Sequence, residues 1–199
     1  MLAAVWLLLS TGCATRETAT VESSVSVRVL DRDFVAIDAG TPDTRLLPLE
    51  SGERVLSYGA RGRVGIGVTN RRLVGYTVSG GWSERRLRFE EATPSRAEMG
   101  MDIALFLTSH RAIGFDGHWR ESHFGALEEP LQSDVGAGSL VVVTNLRALA
   151  LTSASGGFRG VEIREGEQVE NVYALQTSAE VHTSERSLLF SGTWTELPR

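Results

Sequence analysis

The fold is set by residues 68–76, which read Val-Thr-Asn-Arg-Arg-Leu-Val-Gly-Tyr, because this pattern returns later in the chain. Further copies begin at residues 107, 143 and 182, and each has a threonine, a basic residue three positions later and then an apolar run. The threonines lie 39, 36 and 39 residues apart, at Thr69, Thr108, Thr144 and Thr183. A fainter copy, residues 30–37, has neither the threonine nor the arginine. A fixed period of this length indicates a repeat protein.

Other residue types keep the same step along the chain. Glutamates recur every 38 residues, at Glu53, Glu91, Glu129 and Glu167. Glycines recur at the same interval, at Gly62, Gly100 and Gly138. A glycine-containing turn followed by an aromatic residue comes after each copy, and the aromatics are Trp82, Trp119, Phe158 and Trp194. Independent markers with one period indicate that the repeat covers most of the chain.

The third copy shows what one unit is expected to fold into. Residues 139–143 form a continuous apolar run, which is typical of a strand covered on both faces. Thr144-Asn145 has turn chemistry, and residues 147–151 read as a second strand. Residues 158–163 alternate apolar with polar or small side chains, and a weaker segment follows at residues 168–174. We therefore expect about four strands per unit, apolar inside and polar outside, in a nearly all-β protein.

A four-stranded sheet cannot bury its own faces, so successive units must pack on each other. Four-stranded units of this length resemble β-propeller blades. The predicted fold is an all-β, five-bladed β-propeller, a single domain over residues 17–199 with units centred near residues 30, 69, 108, 144 and 183. The last unit ends after its aromatic strand, so we expect residues 17–23 to supply its fourth strand and close the ring. The alternatives are a β-sandwich or barrel with accidental repetition, or an open β-solenoid.

The N-terminus has the features of an export signal. Residues 2–9 are uninterrupted apolar, and a helix of that length rises only ~12 Å, too little to cross a membrane. Ser10-Thr11-Gly12-Cys13 then resembles the bacterial lipobox, in which the cysteine is acylated. The resemblance implies a signal peptide over residues 1–12, lipidation of Cys13, a short tether over residues 13–16, and an outer-membrane location facing the periplasm or the cell surface. The alternative is an ordinary cleaved signal followed by a free thiol.

Two recurring sets of residues are candidates for ligand binding. Arg72, Arg111, Arg147 and Arg186 occupy one position of the repeat. They are expected either to pair with the recurring glutamates as part of the frame or to form a ring of guanidinium groups for an anionic ligand. The aromatics Trp82, Trp119, Phe158 and Trp194 occupy another position. They are expected either to fill the space between neighbouring units or, by resemblance to propeller lectins, to stack against sugars.

The remaining composition excludes several function classes. A net charge of −5 and a pI near 5.4 disfavour nucleic acid as a partner. The four histidines share no metal-ligand spacing, and the apolar strands carry no carboxylate pair of the kind a glycosidase needs. No nucleophile elbow or phosphate-binding loop is present.

The predicted function is accordingly that of a non-enzymatic module without metal or cofactor. We expect it to be held at the membrane by its N-terminal lipid and to bind a protein, or an envelope component, through a face of the propeller. The alternative is a lectin-like glycan binder with one aromatic site per blade, and a hydrolase on a propeller scaffold is a third possibility.

Overall fold

The computed structural model describes residues 24–41, 43–89, 91 and 94–198, and within them the protein is built from 19 antiparallel strands in five sheets. Sheet 1 comprises β1 (Val25–Leu30), β2 (Asp33–Asp38) and β3 (Thr44–Pro48). Sheet 2 comprises β4 (Val55–Arg61), β5 (Val64–Thr69), β6 (Arg72–Thr77) and β7 (Gly81–Arg86). Sheet 3 comprises β8 (Arg96–Met99), β9 (Ala104–Leu107), β10 (Arg111–Phe115) and β11 (Trp119–His123).

Sheets 4 and 5 complete the described chain. Sheet 4 comprises β12 (Pro130–Val135), β13 (Ser139–Thr144), β14 (Arg147–Thr152) and β15 (Arg159–Glu162). Sheet 5 comprises β16 (Val169–Ala174), β17 (Ala179–Thr183), β18 (Arg186–Phe190) and β19 (Trp194–Pro198). The all-β prediction is confirmed, and the described part of the chain contains no helix that could cross a membrane.

The repeat starts at a different strand from the one expected. Residues 168–174 were predicted to end the third copy, but β16 is the first strand of sheet 5 and pairs with β17. Sheet 5 therefore has four strands of its own, and the prediction that the last unit lacks a strand is wrong. A period in the sequence does not fix where a unit begins, since only strand pairing defines the sheet.

Sheet 1 is the sheet with three described strands. Its β1–β2 hairpin corresponds to β5–β6, so the strand equivalent to β4 would precede Val25 in the chain. Residues 17–23, which were expected to close a ring, lie outside the described residues, as do the signal peptide, Cys13 and the tether. Closure into a five-bladed ring therefore stays a prediction.

The core lies between consecutive sheets. Four clusters of buried apolar side chains fill the spaces between sheets 1 and 2, 2 and 3, 3 and 4, and 4 and 5. The two middle strands of sheets 2, 3 and 4 are buried on both faces, apart from the half-buried first residue of β14, whereas β17 and β18 of sheet 5 alternate between buried and half-buried residues. The sheets thus form a stack in which each sheet completes the core of its neighbour.

Recurring glycines let neighbouring sheets approach each other at one end. The Arg63 N–H donates to the Met101 carbonyl at 2.7 Å, and the Asp102 N–H donates to the Ala137 carbonyl at 2.8 Å. A Cβ on Gly62 would lie 2.5 Å from the Met101 oxygen, so a side chain cannot be accommodated there. We call this the glycine end of the sheets. The Thr-x-x-Arg turns and the loops between sheets lie at the opposite end, the Thr–Arg end.

Candidate functional site

Each recurring threonine closes the hairpin turn that it begins. The Thr69 hydroxyl accepts the backbone N–H groups of Arg71 at 3.1 Å and Arg72 at 2.9 Å, and it donates to the Arg72 carbonyl at 3.0 Å. The same contacts recur at Thr108, Thr144 and Thr183. A short side chain that satisfies the turn's own backbone groups explains why a threonine stands at this position.

The recurring arginine forms a bidentate ion pair with a glutamate of the loop that precedes its sheet. Arg72 donates from Nε to Glu53 Oε1 at 2.8 Å and from Nη2 to Glu53 Oε2 at 2.9 Å, and both side chains are almost completely buried. The equivalent pairs are Arg111–Glu91, Arg147–Glu128 and Arg186–Glu167. The predicted pairing of recurring arginines with recurring glutamates is confirmed in sheets 2, 3 and 5, and in sheet 4 the arginine pairs with a different glutamate.

One member of the predicted glutamate set is wrong. The partner of Arg147 is Glu128, whereas Glu129 is exposed and uses its backbone N–H to bind Asn145 Oδ1 at 2.9 Å. The glutamate that pairs in each sheet also accepts a backbone N–H three residues earlier, as Glu128 does from Gly125 at 2.9 Å. This hydrogen bond to the backbone determines which of the two adjacent glutamates points inward. The 38-residue spacing of glutamates in the sequence does not determine it.

A second carboxylate, which sequence reasoning missed, completes three of the four clusters. Glu84, Glu121 and Glu196 contact the guanidinium groups of Arg72, Arg111 and Arg186. They lie opposite Val74, Ile113 and Leu188 in the strand register, and Gly160 takes this position opposite Leu149 in sheet 4. The Arg147 side chain is accordingly 33% exposed, against 2–6% for the other three arginines. In the sequence, a glutamate stands ten to twelve residues after each of these three arginines, and this recurrence could have predicted the second carboxylate.

Hydrogen bonds within these clusters lower the pKa values of the four paired glutamates. Burial of the Glu167 carboxylate by itself raises its pKa, but hydrogen bonds from Arg186, Thr183 and the Arg164 backbone N–H outweigh burial and lower the pKa to about 2. The pKa values of Glu53, Glu91 and Glu128 are lowered by the same kinds of hydrogen bonds, again against burial. The hydrogen bond to Glu167 raises the pKa of Arg186. The four glutamates stay ionised at neutral pH, and each guanidinium is already matched by a carboxylate.

The recurring aromatic residues lie between neighbouring sheets. The indole N–H of Trp82 donates to the Arg45 carbonyl of sheet 1 at 3.0 Å, and that of Trp119 donates to Ser83 Oγ of sheet 2 at 2.8 Å. Trp194 donates to the Arg159 carbonyl of sheet 4 at 2.9 Å. All three rings and Phe158 are partly buried against the cores between sheets. Each aromatic therefore contacts the preceding sheet.

The histidines do not assemble a metal site in the described residues. His118 Nδ1 lies 3.9 Å from Asp116 Oδ1, and His123 Nε2 lies 3.9 Å from Glu121 Oε2. No group of three or more histidine, cysteine or acidic side chains in the described ranges is placed to hold an ion. The carboxylates near these histidines are instead engaged by Arg120 and Arg111.

The Thr–Arg end carries open clefts between the turns and the inter-sheet loops. One cleft of about 410 Å³ is lined by Arg71, Arg86, Arg88 and Phe89. A larger one of about 650 Å³ is lined by the Thr108 turn and the loop around Ala126. Phe89 is fully exposed, and Leu127 on the next inter-sheet loop is 84% exposed. This end thus presents apolar side chains beside guanidinium groups.

Comparison with known proteins assigns no family to the chain. No protein-family model and no curated protein sequence matches it. Among solved structures it is similar to human WBSCR16, with 11% identity and a TM-score of 0.43, over 84% of this chain and 61% of that one. It is also similar to virginiamycin B lyase from Staphylococcus aureus, with 15% identity and a TM-score of 0.38, over 90% and 72%. AztD from Citrobacter koseri matches with 13% identity and a TM-score of 0.40, over 87% and 59%.

The chain spans about 61% of the length of WBSCR16.

Proposed function

We propose that this protein is a non-enzymatic binding module of the bacterial envelope that contacts a protein partner through its Thr–Arg end. The observation that carries the proposal is the exposure of Phe89 and Leu127 on successive inter-sheet loops. Large apolar side chains in water are unfavourable, and two of them on loops at the same end of the sheets suit a surface that a partner covers.

The charge of this end indicates what kind of partner it fits. Arg71, Arg86 and Arg88 line the same cleft as Phe89, and Glu50 pairs with Arg86 at 2.5 Å and Arg71 at 3.6 Å. The cleft beside Phe89 therefore carries more guanidinium groups than exposed carboxylates, although the whole chain has a net charge of −5. Arginine and aromatic residues are enriched at protein interfaces, and a basic patch favours an acidic partner surface.

The internal charges favour binding over catalysis. The arginines and glutamates that recur in sheets 2 to 5 neutralise each other inside their own sheets, which supports a role in the frame. Two carboxylates that face each other across the stack of sheets would instead support the third possibility, a hydrolase.

A glycan-binding function is the alternative. The indole N–H groups of Trp82, Trp119 and Trp194 already donate to neighbouring sheets, which leaves them unavailable to a sugar hydroxyl. Glycan-array binding that weakens stepwise as these three tryptophans are replaced one by one would favour the lectin and contradict the protein-binding proposal.

Attachment to the outer membrane by lipid on Cys13 belongs to the same proposal. It is supported by the apolar run and the small residues that precede Cys13. Radiolabelled palmitate is expected to enter the wild-type protein and not the Cys13→Ala variant. Equal labelling of the two proteins, or no labelling of either, would contradict the lipid anchor. It would not affect the proposal that the Thr–Arg end binds a partner.

Photo-crosslinking in cells tests the binding surface directly. A photoreactive amino acid is placed at Phe89, at Leu127 or, as a control, at Val78, which is 38% exposed at the glycine end. We expect the same crosslinked partner from positions 89 and 127 and none from position 78. Arg86→Glu is expected to reduce the yield at position 127. Equal crosslinking at both ends would overturn the proposal.

A further inference from the structure

The last sheet of the stack has an outer face unlike any internal one. Val141, Val143, Ala148 and Ala150 form the face of sheet 4 that packs on sheet 5. By the repeat register, the same positions of sheet 5 hold Glu180, His182, Ser187 and Leu189. These side chains are half-buried, while Ala179, Val181, Leu188 and Phe190 on the opposite face are fully buried. The outer face of sheet 5 is thus a mixed polar and apolar surface.

The outer face of sheet 1 differs from internal faces in the same way. Ala179, Val181, Leu188 and Phe190 form the face that sheet 5 turns to the preceding sheet, and the equivalent positions of sheet 1 hold Ser26, Arg28, Val35 and Ile37. Arg28 is exposed, and no described carboxylate forms an ion pair with it. Leu46 continues the apolar part of this face and is 60% exposed.

Glu180 on the outer face of sheet 5 and Arg28 on the outer face of sheet 1 carry opposite charges, and both faces also carry apolar side chains. If they pack as sheets 4 and 5 do, Glu180 and His182 meet Ser26 and Arg28, which brings a carboxylate to a guanidinium. The same packing of sheet 5 on sheet 1 places Leu189 against Ile37. Tyr173, 46% exposed, lies beside Glu180 on the outer face of sheet 5. The outer face of sheet 5 carries Glu180 with His182 3.4 Å from it, and the outer face of sheet 1 carries Arg28 with Asp33 on the same face.

We propose that the outer face of sheet 5 binds the outer face of sheet 1 in a second copy of this chain, in place of the closure within one chain that the repeat predicts. Within one copy, Val35 on the outer face of sheet 1 is 4% exposed, whereas Ile37, Leu46 and Tyr173 are 38%, 60% and 46% exposed and leave apolar area that a second copy can cover. The contact is head-to-tail, because it joins two different surfaces, and such contacts build closed rings or open chains of copies. Charged and polar residues among apolar ones suit a face that is solvated before assembly.

Sedimentation of the full chain, purified in detergent, tests the assembly. Over a range of concentrations we expect a mass that rises from one copy to two or more. Arg28→Glu and Glu180→Arg are each expected to weaken self-association at least tenfold, and the double variant to recover most of it. Arg159→Glu, a charge reversal at an exposed residue of sheet 4, is the matched control and should associate like the wild type.

Disulfide trapping identifies the surfaces and excludes closure within one chain. In a Cys13→Ser background, Ile37→Cys and Leu189→Cys proteins are mixed and oxidised, and a linked pair is expected only from the mixture. A chain carrying both substitutions is expected to form crosslinks between copies. If it forms only an internal crosslink and sediments as a single copy, the faces close one molecule and the proposal is wrong. A single copy without any crosslink overturns it as well. Neither result bears on crosslinking at Phe89.

Discussion

At the scale of single residues, the recurring element is a charge cluster built from a threonine, an arginine and one or two glutamates. In sheets 2, 3 and 5 the guanidinium lies between two carboxylates, and in sheet 4 Gly160 replaces the second one. Buried ion pairs add little net stability by themselves, since desolvation offsets their attraction, but breaking one leaves an unmatched charge. Their effect is to tie each inter-sheet loop to its own sheet.

Gly160→Glu is expected to complete the fourth cluster. The new carboxylate would reach Arg147, whose side chain is 33% exposed, and the strand would lose a flexible glycine. The expected gain in the free energy of unfolding is about 1 kcal/mol. Urea denaturation of the wild type, Gly160→Glu and Gly160→Gln measures it. A glutamate variant no more stable than the glutamine variant would contradict the role of the charge.

The Glu167 cluster predicts how stability depends on pH. The pKa of Glu167 is about 2 in the folded protein and about 4.3 in an unfolded chain, so the folded state favours the charged form. Its contribution is fully present above about pH 4.3 and is lost as the pH falls through 2. Urea unfolding of wild type and Glu167→Gln at several pH values should show a difference of a few kcal/mol at pH 6 that shrinks towards pH 2. A constant difference would contradict this assignment.

At the scale of strands and turns, glycines set how closely neighbouring sheets approach. A Cβ on Gly100 would overlap the carbonyl oxygen of Gly136 in sheet 4, which is backbone and cannot rotate away. Gly136 stands in the same relation to the Leu175 carbonyl of sheet 5. The glycine end is therefore a set of close backbone contacts, while the Thr–Arg end has room for clefts.

Gly100→Ala is expected to destabilise the protein by about 3 kcal/mol or more, because sheets 3 and 4 must separate. Gly157→Ala is the control, since a Cβ there has no atom within 4 Å, and it should change stability by less than about 1 kcal/mol. Thermal unfolding of both variants, followed by circular dichroism, makes the comparison. Similar losses in both would mean that the close backbone approach is not what requires Gly100.

At the scale of the whole molecule, stability is expected to decline from the middle of the stack to its ends. Sheet 3 contributes to two cores, and sheet 5 to one described core. A sheet that packs on both sides can open only by breaking both interfaces.

Hydrogen exchange followed by mass spectrometry is expected to reveal this gradient. Amides of β9 and β10 should exchange at least tenfold more slowly than those of β17 and β18, although both pairs are middle strands of four-stranded sheets. The measurement is made at low protein concentration, where copies are separate. Equal protection would contradict a stack with open outer faces.

The sequence alone determined what depends on local chemistry. The period, the all-β class, the threonine turns and the recurring arginines all follow from short patterns, because a turn or a strand is specified by neighbouring residues. The strands predicted for the third copy coincide with β13, β14, β15 and β16 to within two residues.

Only the tertiary structure decided what depends on pairing between distant residues. It assigned β16 to sheet 5, selected Glu128 over Glu129, and brought Glu84, Glu121 and Glu196 to their arginines. The physical reason is that strand register is set by hydrogen bonds between strands, while the inward direction of Glu128 is set by the hydrogen bond that it accepts from the Gly125 N–H. The alternation of side chains along the strands places polar and apolar residues together on the outer faces of sheets 1 and 5, whereas the faces between sheets are apolar.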